Sequence, residues 1–167
     1  MAMTDASPVS IQEVSRRSGL RADTALLRED RPHRPGALRV LRAARDHGGR
    51  RVVLTSSFAA VGCSRTGGGA YDASDRTDPA DDLTPYIRCK AVAERAAWNF
   101  VAAEGGGLEL AANNPLGIFG PLLGTHLSAS VALVKATLEG ALPVVLPEYF
   151  DVADVRDVAQ APLRAMT

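Results

Sequence analysis

Tyr86-Ile87-Arg88-Cys89-Lys90 opens a run of helix-forming residues that carries Ala91, Ala93, Ala96, Ala97, Phe100 and Val101 and is stopped by Gly105-Gly106-Gly107. That composition, free of breakers until the glycine triplet, predicts a helix over 86–104. On a helix, Tyr86 and Lys90 sit one turn apart on the same face. A lysine ammonium held near a phenol favours the phenolate, which lets the tyrosine exchange a proton near neutral pH. The chain has three tyrosines and two lysines, so this spacing is not what chance supplies. Alone, the pair reads equally well as a helix-surface contact. Its flanks change the balance: Thr55-Ser56-Ser57 stands before it and Asn114-Pro115-Leu116-Gly117-Ile118-Phe119-Gly120-Pro121 after it.

Upstream, Leu38, Val40-Leu41 and Ala43-Ala44 recur at helical spacing from Gly36, with arginines outward and a stop at Gly48-Gly49. Asp30 to Pro35 reads as a charged, proline-containing joint. Arg51-Val52-Val53-Leu54-Thr55 is a short, β-branched strand of the kind buried in parallel sheets. Ser56 and Ser57 follow it at the carboxyl end, where open α/β sheets place their ligand chemistry. Downstream, Leu108-Glu109-Leu110-Ala111-Ala112 is a second strand running into Asn113-Asn114-Pro115, again chemistry at a strand's end. Residues 128–139 form a helix ended by Gly140. Short strands are expected at 144–146 and 150–153, and a closing helix over 155–166, with Arg156 and Asp157 as an ion pair at its start. Strands alternating with helices specify an α/β fold with a parallel, doubly wound sheet.

Phe58 to Pro85 is a long connection. Its Gly67-Gly68-Gly69 follows no strand directly and opens no helix, so it is no phosphate cradle; it suits a mobile loop on the substrate side. Asp72, Asp75, Asp78, Asp81 and Asp82 match no calcium-loop spacing and read as a solvated loop. No metal site is expected. Cys63 and Cys89 give neither a disulfide framework nor a metal-ligand spacing, and read as small, half-buried thiols.

The 167 residues suffice for one domain with a real core. Nineteen basic residues balance nineteen acidic ones, which leaves the whole chain no electrostatic reason to seek nucleic acid or a membrane. The charge is uneven: residues 1–50 carry ten arginines against six acids, the remainder nine basic against thirteen acidic residues. No apolar run approaches the roughly 18 residues of a spanning helix, and the start lacks the apolar core of a signal peptide. A soluble, cytoplasmic protein is expected.

Two resemblances divide the chain into residues 1–34 and 35–167. Ser10-Ile11-Gln12-Glu13-Val14, Arg16, Ser18-Gly19-Leu20 and Asp23-Thr24 resemble the helix-turn-helix opening of MerR-type DNA-binding regulators. The pattern departs at Ala25-Leu26-Leu27-Arg28-Glu29 and no wing follows, so DNA binding is the alternative reading and nucleic acid is not the expected partner. From Pro35 onward the chain resembles the extended short-chain dehydrogenase/reductases, within the NAD-dependent epimerase/dehydratase superfamily, and most closely the dihydroflavonol-reductase-like aldehyde reductases. The markers are Gly36-Ala37-Leu38 through Ala44, the strand into Thr55-Ser56-Ser57, Tyr86 with Lys90, Ala93-Glu94-Arg95-Ala96-Ala97-Trp98, Asn114-Pro115 through Gly120-Pro121, and Asp154-Val155-Arg156-Asp157-Val158-Ala159.

The resemblance implies a Rossmann-like fold and an NAD- or NADP-dependent reductase of a small-molecule carbonyl substrate. It implies Tyr86 as the general acid toward the carbonyl oxygen. Lys90 would support the phenol and hydrogen-bond the nicotinamide ribose. Ser57 would hold the substrate oxygen, chosen over Ser56 because it stands five residues before Gly62. Thr55 and Ser56, together with Pro115, Leu116, Gly117 and Ile118, would line the nicotinamide pocket. Sugar-nucleotide epimerases and dehydratases use the same tyrosine and lysine and are the neighbouring alternative. The family's opening strand, glycine-rich turn and helix find no counterpart in this sequence. A truncated chain is therefore expected, lacking the first βαβ units, binding NAD(P) feebly and turning over slowly or not at all. Its exposed sheet edge could be covered in a homodimer or by another subunit.

Overall fold

Two parallel strands set the frame. β1 (Arg51–Thr55) pairs with β2 (Glu109–Asn113) in a register that runs from Arg51 opposite Glu109 to Thr55 opposite Asn113. Both strands therefore end together, and Ser56 extends the ladder by donating its N–H to Asn113 O at 2.8 Å. The structure is a computed structural model that describes residues 33–65, 69–141 and 151–167.

α1 (His33–Asp46) precedes β1 and begins earlier than the sequence suggests. Pro35 is in its first turn rather than in a joint. That placement is tolerated because the first N–H groups of a helix have no intrahelical partner to lose. α2 (Pro85–Glu104) makes the crossover to β2. Thr84 caps it, its Oγ1 accepting from Ile87 N at 3.2 Å, and Pro85 takes the first helical position. The helix ends at Gly105, and the chain reverses through Gly106 and Gly107 at φ 59° and 93°. Those left-handed values suit glycine and strain other residues.

α1 and α2 pack together against the strands. Leu41, Ala97, Phe100 and Leu108 are buried, and Leu38, Ala44, Val52, Leu54, Val101 and Leu110 close around them. Buried alanines at 91, 93 and 97 leave room for α2 to approach its neighbours closely.

A second parallel pair joins β3 (Gly117–Phe119) to β4 (Val152–Asp154), with Ile118 opposite Ala153. β3 has no counterpart in the sequence reading. Three residues including a glycine carry no strand signal of their own, and pairing with a segment 35 positions away creates the strand. α3 (Ala129–Leu138) starts at Ser128, whose Oγ caps Val131 N, and stops before Gly140. α4 (Val155–Ala165) follows β4 directly. It packs against β1 and β2 but not against α1 or α2, so helices cover both faces of the strands. The architecture is a partial doubly wound α/β fold, with its parallel strands in two pieces, β1-β2 and β3-β4, rather than one continuous sheet.

Several expectations fall outside the described residues: the helix-turn-helix resemblance within residues 1–34, the strand at 144–146, Phe150, and Gly67-Gly68. The strand expected over 150–153 is found as β4. Among the described residues, no helix is long and apolar enough to cross a membrane.

The ion pair at the start of α4 differs from the expected one. Arg156 bonds Asp154, not Asp157, with Nη2 to Oδ2 at 2.6 Å and Nε to Oδ1 at 2.8 Å, while Asp154 also caps the helix through Arg156 N. The Arg156 side chain first, then its backbone N–H, holds the Asp154 carboxyl at about 2, below its ordinary 3.8. A carboxyl depressed in the folded state contributes stability above its unfolded pKa and loses it as pH falls through the folded one. Protection of the first α4 amides against hydrogen exchange is therefore expected to fall between about pH 4 and pH 2. Asp154→Asn, which keeps a capping oxygen but no charge, should flatten that dependence.

Candidate active site

The carboxyl ends of β1 and β2 carry the site. After Thr55 the chain turns through Ser56 and Ser57 into one 3₁₀ turn, Phe58–Ala60, with Ser57 as its cap and Ser57 Oγ accepting from Ala59 N at 3.2 Å. From the other strand, Asn114 and Pro115 bond back. Asn114 Nδ2 donates to Ser57 O at 3.1 Å, and Phe58 N donates to Pro115 O at 3.1 Å. Three bonds thus lace the serine turn to the Asn-Pro turn, counting the Ser56 rung.

The first turn of α2 faces this pair of turns. Tyr86 Oη donates to Ser57 Oγ at 3.5 Å, the far edge of hydrogen bonding. Tyr86 is 46 % exposed, so the phenol is open to a ligand. Lys90, half-buried one turn on, has its Nζ 5.7 Å from the centre of the Tyr86 ring. That contact is a cation resting on the ring, of a kind worth about 0.5–1 kcal/mol near a surface.

The residues expected from sequence are thus partly gathered. Ser56, Ser57, Tyr86, Lys90 and Pro115 meet at one strand-end cluster, and Thr55 stands exposed at the tip of β1. Leu116 borders an adjoining cavity, whereas Gly117 and Ile118 lead away into β3 and spend their backbone on pairing with β4. The cavity holds about 710 Å³ and is walled by Phe58, Tyr71, Arg76, Trp98, Asn113 and Leu116. A smaller groove of about 340 Å³ runs along β1 beside α1, among Val40, Val52 and Leu54, and no titratable group lines it.

Sequence reasoning left two residues out of the site. Glu94 is only 3 % exposed; its Oε2 accepts from Asn114 Nδ2 at 2.6 Å and its Oε1 from Trp98 Nε1 at 3.3 Å. Its signal was available, since a carboxylate four residues after Lys90 and eight after Tyr86 shares their helix face. Asn114 was read as chemistry at a strand's end, but its partner was not. Asn113 next to it keeps a buried Nδ2 with no hydrogen-bond partner.

The described flanks of the long loop are tied down rather than free. Thr77 is buried, donating its N–H to Ala60 O at 3.0 Å and accepting from Cys63 N at 2.9 Å. Tyr71 meets Phe58 edge-on, ring centres 4.9 Å apart, and donates its hydroxyl to Gly62 O at 3.3 Å. A Cβ on Gly62 would lie 2.1 Å from the Phe58 ring, which explains why glycine stands there. Three of the five acids have partners within the loop: Asp72 accepts from Ser74, Asp75 pairs with Arg65, and Asp78 accepts from Ala80 N. The two bonds from Ser74 hold the Asp72 carboxyl below its usual range. Both cysteines are thiols outside any disulfide and half-buried, and burial pushes the Cys63 thiol up. Among the described residues no group of three or more His, Cys, Asp or Glu side chains could hold a metal ion.

Comparison with known proteins gives a consistent match. The sequence model described as the NAD dependent epimerase/dehydratase family matches residues 32–167. A cinnamoyl-CoA reductase of Medicago truncatula is 36 % identical over 142 residues, covering 80 % of this chain and 42 % of the relative. An NADPH-dependent methylglyoxal reductase of Saccharomyces cerevisiae is 34 % identical over 141 residues, covering 69 % and 39 %. Among solved structures, the yeast methylglyoxal/isovaleraldehyde reductase in complex with NADPH superposes with a TM-score of 0.65 at 31 % identity, covering 80 % of this chain and 45 % of that one. The chain thus spans less than half the length of these relatives.

Proposed function

This chain belongs to the NAD dependent epimerase/dehydratase family, and from that premise we propose that its strand-end cluster is the Ser-Tyr-Lys site of an NAD(P)-dependent reductase acting on a small aldehyde or ketone. The observation that carries the reading is the Tyr86 phenol reaching Ser57 Oγ while Lys90 rests on its ring. The curated relatives cited above are reductases by name, which favours carbonyl reduction over the sugar-nucleotide epimerase alternative. Residues 35–167 form the reductase part in this proposal and 1–34 a leader, a division supported by a family match that begins at residue 32.

The nicotinamide end of the cofactor suits these residues. Tyr86 is open to a ligand, Lys90 stands beside it, and the buried, unpaired Asn113 Nδ2 at the end of β2 is a donor that a bound polar group would satisfy. In this reading Tyr86 and Lys90 hold the nicotinamide ribose, with Thr55, Ser56, Pro115, Leu116, Gly117 and Ile118 around the ring. The pyrophosphate end has less to hold it. Among the described residues, none of the glycines with positive φ stands in a strand-to-helix turn of the kind that cradles phosphate. When bound, the reduced nicotinamide supplies the hydride.

The protein's own work is positional and acid–base. Ser57 Oγ, with one lone pair engaged by Ala59 N, retains a hydrogen and a lone pair for the substrate oxygen and for Tyr86. Tyr86 donates its proton as negative charge develops on that oxygen, and the Lys90 ammonium stabilises the phenolate left behind. The test combines calorimetry of NADPH and NADH binding with cofactor oxidation against a panel of small aldehydes. Slow, aldehyde-dependent oxidation with cofactor affinity weaker than micromolar is expected. Tight binding would refute the weak-grip part, and the absence of turnover with every aldehyde would refute the reductase part.

A further inference from the structure

We propose that Glu94 is a positioning residue whose buried carboxylate, acting through Asn114, fixes the Ser57 hydroxyl opposite the Tyr86 phenol. The inference rests on the reductase reading and extends it to a residue that acts through Asn114 rather than on the reacting atoms.

A carboxyl group that is 3 % exposed is costly to bury unless its oxygens are bonded, and for stability alone an apolar residue of similar size would serve as well. What the carboxylate provides here is direction. Oε1 takes the Trp98 indole N–H, and Oε2 takes one Asn114 amide hydrogen at 2.6 Å. The second hydrogen on the same nitrogen goes to Ser57 O at 3.1 Å. Both neighbours of that nitrogen are pure acceptors, so the amide has only one orientation that satisfies them. Asn114 thus becomes a fixed spacer between α2, which carries Tyr86 and Lys90, and the turn that carries Ser57.

The separation it governs has little slack. At 3.5 Å the Tyr86–Ser57 contact is at the limit of hydrogen bonding, and a displacement of about 1 Å in a reacting constellation can lower rates about 100-fold. The backbone rungs Ser56 N to Asn113 O and Phe58 N to Pro115 O hold the serine turn to β2, but neither reaches α2. The Glu94–Asn114 link ties the tyrosine helix to the serine turn from behind the site.

Glu94→Gln tests this with little change of shape. One amide end must present N–H to a donor, so either Asn114 or Trp98 loses its acceptor. Asn114→Asp is the second variant, placing a carboxylate against two acceptors. Hydrogen exchange at single-residue resolution is expected to accelerate about tenfold at the Ser56 and Phe58 amides in Glu94→Gln, and more in Asn114→Asp, with Leu54 and Leu110 in the ladder unchanged. In the NADPH-oxidation assay, kcat should fall about 10- to 100-fold with KM for the aldehyde unchanged. Exchange that is unaltered, or that rises equally across the sheet, overturns the proposal, as does a loss confined to KM. If the unmodified chain oxidises no cofactor, the reductase reading fails and the exchange pattern alone decides the role of Glu94: acceleration restricted to the serine turn supports it, any other pattern overturns it.

Discussion

Tyr86→Phe is expected to lower aldehyde-dependent NADPH oxidation at saturating cofactor by a factor of about 10²–10⁴, the usual contribution of a positioned general acid, while leaving the melting temperature unchanged. The substitution removes one oxygen and nothing else. The ring keeps its place on the first turn of α2 and remains a surface for the Lys90 ammonium 5.7 Å from its centre. Because Tyr86 is 46 % exposed, its loss leaves no buried donor or acceptor stranded. Ser57 Oγ loses one neighbour at 3.5 Å but keeps the bond from Ala59 N that orients it. Any fall in rate is then attributable to the missing proton donor. A phenylalanine variant with full turnover would show that another group, or water, protonates the product, and the Ser-Tyr-Lys reading would have to be given up.

The sequence was legible where local chemistry decides structure. Helix ends marked by Gly105, Ser128 and Gly140 are where the residue types place them, because capping is settled within one turn of chain. β1 was visible as a β-branched run, and its pairing with β2 followed from the helix between them. What stayed hidden depends on partners distant in sequence. β3 exists only through β4, and Arg156 chose the carboxylate two residues behind it over the one beside it because Asp154, as the helix cap, already faced its backbone N–H. The site shows the same division. Tyr86 and Lys90 stand out in the sequence by their helical spacing, and Ser57 only through the family resemblance that singles out the serine five residues before Gly62. Glu94 shares the helix face of Tyr86 and Lys90, but its partner Asn114, twenty residues away, meets it only in the folded chain. The loop acids are legible in number but not in purpose: Asp72 and Asp78 are engaged by neighbours within a few residues and Asp75 by Arg65, and a charge count does not show that.

Phe100→Ala is expected to destabilise the fold by about 3–5 kcal/mol, the range for removing a buried aromatic ring. Phe100 is 4 % exposed and lies where α1 and α2 meet over the strands, in a buried cluster whose other members are Leu41, Ala97 and Leu108. Ala97 offers no side chain to swing into the space, and Leu41 and Leu108 come from different elements, so the cavity has little means of collapse. The ring also carries two cations, Arg45 and Arg42, whose guanidinium carbons stand 5.2 and 5.8 Å from its centre. At exposed sites such contacts add about 0.5–1 kcal/mol each. Net stabilities of single domains run to about 5–15 kcal/mol, so one substitution would remove a large part of the total. In urea, with slopes of about 1–3 kcal/mol per molar, the midpoint should fall by more than about 1 M. Phe100→Leu, which refills most of the volume but loses both cation contacts, should cost distinctly less. If the alanine variant melted with the unmodified chain, the α1–α2 contact would not be what holds β1 and β2 in register, and the strand ends would have to owe their alignment, and the site its geometry, to α4 on the opposite face.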